Sequence, residues 1–196
     1  MTPDPSDDLF SRINDFARAT PWLHWPVTEW AKYGIVVFAA LLVVGWWIAR
    51  SRDARTMAAA LIAPISTVVA VAVNQPIIKA FDHPRPYVLH PAALVLVTKS
   101  ADPSFPSDHA TMAGAVAAGL LLVSWRLGLV AVACAFVMAC ARVYVGAHYP
   151  VDVVAGLALG ALVALGCWLL LRVPVTRLVE SLRAGRLGPL VSDAAV

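Results

Sequence analysis

Val153–Leu171 reads VVAGLALGALVALGCWLLL, nineteen residues without a charge, closed by Arg172. A helix needs roughly 20 apolar residues to cross a hydrocarbon core about 30 Å thick, and this stretch meets that length. Four more segments share its character: Tyr33–Ala49, closed by Arg50; Thr56–Ile78, running into Lys79; Ala110–Trp125; and Leu127–Ala141, running into Arg142. The third and fourth of the five, in chain order, are short, so flanking polar residues are expected to extend both as helix. Pro64 and Pro76 lie inside the second, where a membrane helix tolerates proline and can kink.

The composition agrees. Of 196 residues, 60% are hydrophobic and 14% charged, against about 45–50% and about 25% in soluble domains. There is too much to bury for a disordered chain. Cys134, Cys140 and Cys167 lie inside apolar spans and read as helix filler rather than a disulfide framework. The net charge of +3 is small, and no basic run suggests nucleic acid as a partner. Ser6–Ala19 places Leu9, Phe10, Ile13, Phe16 and Ala17 at helical spacing with charges between them. This predicts an amphipathic helix at the membrane surface. Pro21–Trp30 adds three tryptophans suited to the interfacial belt.

The expected architecture is therefore all-α: a polytopic membrane helix bundle of about five spans plus an N-terminal amphipathic interfacial helix. Residues 1–30 form the interfacial part, 31–175 the membrane core and 176–196 a cytoplasmic tail. Arg50, Arg52, Arg55, Arg126, Arg172, Arg177, Arg183 and Arg186 fall on one side of these spans. That side is expected to be cytoplasmic, with the N-terminus outside and the C-terminus inside. Asp4 and most of the other acids fall on the outer side.

Three polar stretches all fall on that outer side: KAFDHPRPY (Lys79–Tyr87), FPSDHA (Phe105–Ala110) and ARVYVGAHYPVD (Ala141–Asp152). Lys79, Arg85 and Arg142 are three cations at an apolar rim, expensive unless they share an anion. The arginine fork suits phosphate oxygens, so a phosphate ester is the natural guest. His109 and His148 invite an acid/base or nucleophile pair. His148 and Asp152 are i, i+4, so the carboxylate can fix the ring tautomer. Ser107 and the backbone N–H groups at the start of the third span can hold phosphate oxygens. Which histidine attacks is open from the residues alone. His24, His83 and His90 read as loop or interface residues, and Tyr87 and Tyr144 as belt or packing residues.

These stretches resemble the three signature motifs of the type 2 phosphatidic acid phosphatase superfamily, in order over residues 79–152. The second motif carries Asp108 where the usual pattern has glycine, the third opens on Ala141 instead of serine, and Lys79 is one residue nearer Arg85-Pro86 than usual. The Pro-Ser-Asp-His form resembles that of bacterial undecaprenyl-diphosphate phosphatases. The resemblance implies that His148 is the nucleophile and forms a phosphohistidine, that Asp152 orients it, and that His109 is the general acid and then the base. Lys79, Arg85, Ser107 and Arg142 would hold the phosphoryl oxygens, with Asp108 shaping the site. It implies no metal and no cofactor. The substrate would be a lipid phosphate or diphosphate met at the outer face of a bacterial inner membrane. Phosphatidylglycerophosphate, phosphatidic acid and prenyl-phosphosugar phosphatases share the motifs, and a non-catalytic lipid-binding or transport protein is the alternative of another class.

Two features serve more than one reading. Gly156 and Gly160 form a GxxxG that suits either a homo-oligomer or packing within the chain. The loop Val88–Ser104 contains AALVLV, too short to span, and is expected to wall one side of the lipid entry path.

Overall fold

A computed structural model describes residues 5–185 and 187–192; Asp4 and Arg186 lie outside the described residues. Regular structure there is helical: α1 (Pro5–Ala19), a 3-10 turn (Pro21–Leu23), α2 (His24–Arg50), α3 (Ala54–Phe81), α4 (Pro86–Leu89), α5 (Asp108–Val123), α6 (Trp125–Tyr144), α7 (Pro150–Arg183) and α8 (Gly188–Val191). The helices α2, α3, α6 and α7 are each long and apolar enough to cross a membrane. Outward-facing Val36, Val68, Phe136 and Leu162 are more than half exposed, which suits contact with lipid.

The helix ends follow local chemistry. Asp53 caps α3, its carboxylate accepting the Thr56 N–H at 2.8 Å and the Thr56 hydroxyl at 3.0 Å. The helix continues through both Pro64 and Pro76. The fourth span is extended at both ends, as expected, to Trp125–Tyr144. The third is extended only at its start. Ser124 is in an extended conformation (φ −155°, ψ 123°), so α5 stops at Val123 and Trp125 opens the next helix.

At 1.5 Å per residue, α5 is about 24 Å long, shorter than the bilayer core. It sits in the middle, packed against α2, α3, α6 and α7. Its small residues allow this: nearly every position from Ala110 to Leu120 is buried. The tightest approach is to α7. A Cβ on Gly156 would lie 2.7 Å from the Ser107 carbonyl oxygen, and one on Gly160 would lie 1.9 Å from that of Thr111. The GxxxG therefore packs within the chain, backbone against backbone.

The amphipathic N-terminal helix forms, and its apolar stripe divides. Phe10 and Ala17 are buried against the protein, while Leu9 and Phe16 are about half exposed. Asn14, 4% exposed, grips the loop that follows α4 by pairing with both backbone groups of Leu94: its amide donates to the carbonyl at 2.8 Å and its oxygen accepts the N–H at 2.9 Å. The same loop donates Leu96 N–H to the Val145 carbonyl at 3.0 Å, beside the α6–α7 turn. The AALVLV stretch is thus fastened on two sides.

The α5–α7 contact gives a paired test. Gly160→Ala must push two backbones apart and is expected to cost about 1–3 kcal/mol. Gly166→Ala, on the same helix but with nothing within 4 Å of its Cβ position, should instead be neutral or stabilising by up to about 1 kcal/mol. Thermal unfolding of the two variants in detergent measures the difference.

Candidate active site

Four helix ends meet at one face of the bundle: the C-termini of α3 and α6 and the N-termini of α5 and α7. Between them lies a cavity of about 390 Å³. Lys79 from α3, Arg85 before α4, Asp108 and His109 from α5, Arg142 from α6 and His148 before α7 all line it. The loop between α4 and α5 closes one side with Val97, Thr98 and Ser100. Residues spread over seventy positions of sequence are thus brought to one space. Ser107 is the exception. Its N–H is spent on the Asp152 carbonyl at 3.1 Å, and its hydroxyl, between cavity-lining Pro106 and Asp108, is buried without a partner among the described residues.

His148 is 3% exposed. Its Nδ1 lies 2.9 Å from the Ser104 carbonyl oxygen. A carbonyl can only accept, so Nδ1 carries the proton and Nε2 is the unprotonated nitrogen, its lone pair meeting only the long contact from Arg85 among the described residues. Nε2 faces the cavity, 3.4 Å from Arg85 Nη1. Asp152 is fully buried, and its Oδ2 stands 3.5 Å from His148 Nδ1. That oxygen accepts the Ser104 hydroxyl and, at 2.8 Å, the Tyr149 N–H. The carboxylate therefore reaches the imidazole through Ser104 as well as by direct attraction. Burial pushes the His148 imidazole down to about 4; the Arg142 and Arg85 charges reinforce this and Asp152 opposes it.

The cations are held by carbonyls, which position them without neutralising them. Arg85 donates from Nε to the Asp102 carbonyl at 2.7 Å and from Nη1 to the Ala147 carbonyl at 3.2 Å. Arg142, 9% exposed, donates to the Ala31 carbonyl at 3.4 Å, and its Nε is buried without a partner among the described residues. Neither pairs with a carboxylate there. Two guanidiniums and a lysine around one void, none of them ion-paired among the described residues, outnumber the Asp102 and Asp108 carboxylates that line it and call for an anion from outside.

Asp108 does not supply that counter-charge freely. Its Oδ1 accepts the Asn74 amide at 2.7 Å and the Gln75 amide at 3.0 Å, so α3 holds the carboxylate against the wall. Asn74, fully buried, also donates to the Pro106 carbonyl at 3.2 Å, beside the cis Phe105–Pro106 bond. Sequence reading missed Ser104, Asn74 and Gln75. For the last two a signal existed: adjacent amides inside an otherwise apolar span need buried partners. The other histidines are structural. His24 meets the Ala17 carbonyl at 2.8 Å, His90 stacks on Phe10, and His83 packs edge-on to Tyr149.

A histidine with one nitrogen bound and one free, facing unneutralised cations, is equipped to act on a phosphate ester. The sequence pattern of the PAP2 superfamily matches residues 59–174, which contain every one of these groups. The chain belongs to the PAP2 superfamily. It is similar to undecaprenyl-diphosphatase BcrC of Bacillus subtilis, 31% identical over 80% of this chain and 79% of that protein. It is also similar to the putative undecaprenyl-diphosphatase YbjG of Escherichia coli, 33% identical over 81% and 77%. Among solved structures it resembles Aquifex aeolicus LpxE, with a TM-score of 0.62 and 25% identity over 82% of this chain and 92% of that one. The protein is a multi-pass membrane lipid phosphatase of this superfamily.

Ser104→Ala keeps the carbonyl that fixes the tautomer and removes the hydroxyl that ties Asp152 to it. It is expected to lower kcat on the order of tenfold or more, with little change in KM. Steady-state phosphate release measures the split.

Proposed function

We propose that this PAP2 member removes the terminal phosphate of a polyprenyl diphosphate, of the undecaprenyl class, at the outer face of a bacterial inner membrane. The observation that carries the chemistry is the free Nε2 of His148 beside Arg85 and across the cavity from His109. Substrate choice is supported by the two relatives named undecaprenyl-diphosphatase, each matched over about four-fifths of this chain. The outward site is supported by the arginines gathered at the opposite face.

In this reading His148 Nε2 attacks the terminal phosphorus. The bond to the bridging oxygen breaks, and His109 gives its proton to that leaving oxygen, which departs as the lipid monophosphate. Lys79, Arg85 and Arg142 hold the phosphoryl oxygens as charge develops on them. His109 then takes a proton from water, whose oxygen attacks the phosphohistidine. The P–N bond breaks and inorganic phosphate leaves. Asp152, through Ser104, steadies the positive charge that His148 gains in the first step. The unpartnered Ser107 hydroxyl, at the start of α5, is the further group proposed to hold a phosphoryl oxygen.

The deciding experiment is phosphate release by the detergent-purified protein with EDTA present. The panel is undecaprenyl diphosphate, phosphatidylglycerophosphate and phosphatidic acid, beside His148→Ala. Release from the diphosphate, reduced at least a thousandfold in the variant, is the expected result. Release only from a glycerophospholipid overturns the substrate, and equal release by the variant overturns the mechanism. The depressed His148 pKa adds a pH test. The neutral ring attacks, so kcat/KM is expected to hold down to about pH 5 and to fall only below about 4. An ordinary histidine would lose activity from about 6.5. The ionisation of the substrate phosphate is divided out first.

A further inference from the structure

A second cavity lies at the far end of the bundle from the active site, where α3 begins and α7 leaves the membrane. It is lined by Arg55, Arg172, Val173, Thr176, Arg177 and Glu180. Three guanidiniums there face one carboxylate, and none of the three makes an ion pair among the described residues. Arg55 is already positioned, its guanidinium 5.6 Å from the ring centre of Trp168. The catalytic groups and the second cavity share no residue.

Depth and shape say what this charge is for. Arg172 stands 22 residues after Pro150, about 33 Å along α7 at 1.5 Å per residue, which is the thickness of a bilayer core measured from the active-site end. The guanidiniums are therefore at the level of the head groups of the leaflet opposite the active site. Below them on the same side of α7, Leu162, Leu169 and Val173 recur at spacings of seven and four and are 67%, 62% and 52% exposed. Gly166 falls within that stripe, and nothing lies within 4 Å of its Cβ position. The helix thus presents an apolar face with a notch, surmounted by unneutralised arginines.

We propose that this cavity is a binding site for an anionic phospholipid of the leaflet opposite the active site. The lipid phosphate sits among Arg55, Arg172 and Arg177, and an acyl chain lies along the Leu162–Val173 face over Gly166. Charge complementarity selects the lipid: a zwitterionic head group would bring its own cation to three arginines. Glu180 limits the site to a phosphate approached from the arginine side.

The test uses the full chain purified in detergent and follows its thermal unfolding as dioleoylphosphatidylglycerol, dioleoylphosphatidylcholine or inorganic phosphate is added. Phosphatidylglycerol is expected to raise Tm saturably, and the other two are not. In the triple variant Arg55→Gln, Arg172→Gln, Arg177→Gln, the phosphatidylglycerol affinity is expected to fall on the order of a hundredfold. Its phosphatase activity in phosphatidylcholine–detergent mixtures should stay at the parent level, which shows that it folds. Should it fail to fold, Arg172→Gln alone is read the same way, with a loss of about fivefold. An equal phosphatidylglycerol shift in parent and variant overturns the proposal. A shift reproduced by inorganic phosphate alone overturns the lipid in favour of a free anion.

Discussion

The backbones of α5 and α7 touch. Gly156 and Gly160 leave no side chain between the two helices, and the Ser107 N–H reaches across to the Asp152 carbonyl at 3.1 Å. Everything chemical at the active-site end of the bundle depends on that contact. His109 rides on the first turn of one helix, and Asp152 on the first turn of the other. Main-chain atoms define the distance between them, and main chain deforms less readily than a long side chain. The small residues that make α5 a good central helix are the same ones that allow the approach. Packing and catalysis are therefore two consequences of one choice of residue size.

The second constraint is electrostatic. An apolar bundle is a poor solvent for charge, yet Arg142 is 9% exposed and its Nε is buried without a partner among the described residues. The fold holds such a group with carbonyl oxygens, which orient a guanidinium but leave its charge uncancelled. Asp108, the carboxylate most able to cancel it, is drawn aside by the amides of Asn74 and Gln75. Those bonds fix where the Asp108 charge sits without removing it, and the cavity's three cations still outnumber its two carboxylates, Asp102 and Asp108. An arriving phosphate meets donors already in place and displaces no internal salt bridge, which is the condition for strong electrostatic stabilisation.

Much of this was legible in the sequence because a bilayer asks for so little: an uninterrupted apolar run of known length. Each of the five apolar runs became a helix, and the motif residues met at one end because the spans alternate in direction. The errors arose where backbone geometry decides. Nothing in the letters around Ser124 requires the extended conformation that ends α5 at Val123, two residues before Trp125. Ser104 lies between proline and phenylalanine in a loop, and its function resides mainly in its carbonyl, which every residue has. Ser107, inside a motif, reads as a ligand; its hydroxyl is buried without a partner among the described residues at the start of α5. Asn74 and Gln75 were readable as polar residues out of place; their partner, Asp108, was the other half of the same anomaly.

The bond from His148 to the Ser104 carbonyl has an evolutionary corollary. A side chain that sets a tautomer can be lost in one substitution, whereas a main-chain oxygen is present whatever the codon specifies. What can drift is the path of the loop that presents it. An insertion or deletion between His90 and Ser104 would move that oxygen where a point change at position 104 would leave it, and Asn14, eighty residues from Leu94, is one of the groups that holds the loop in place.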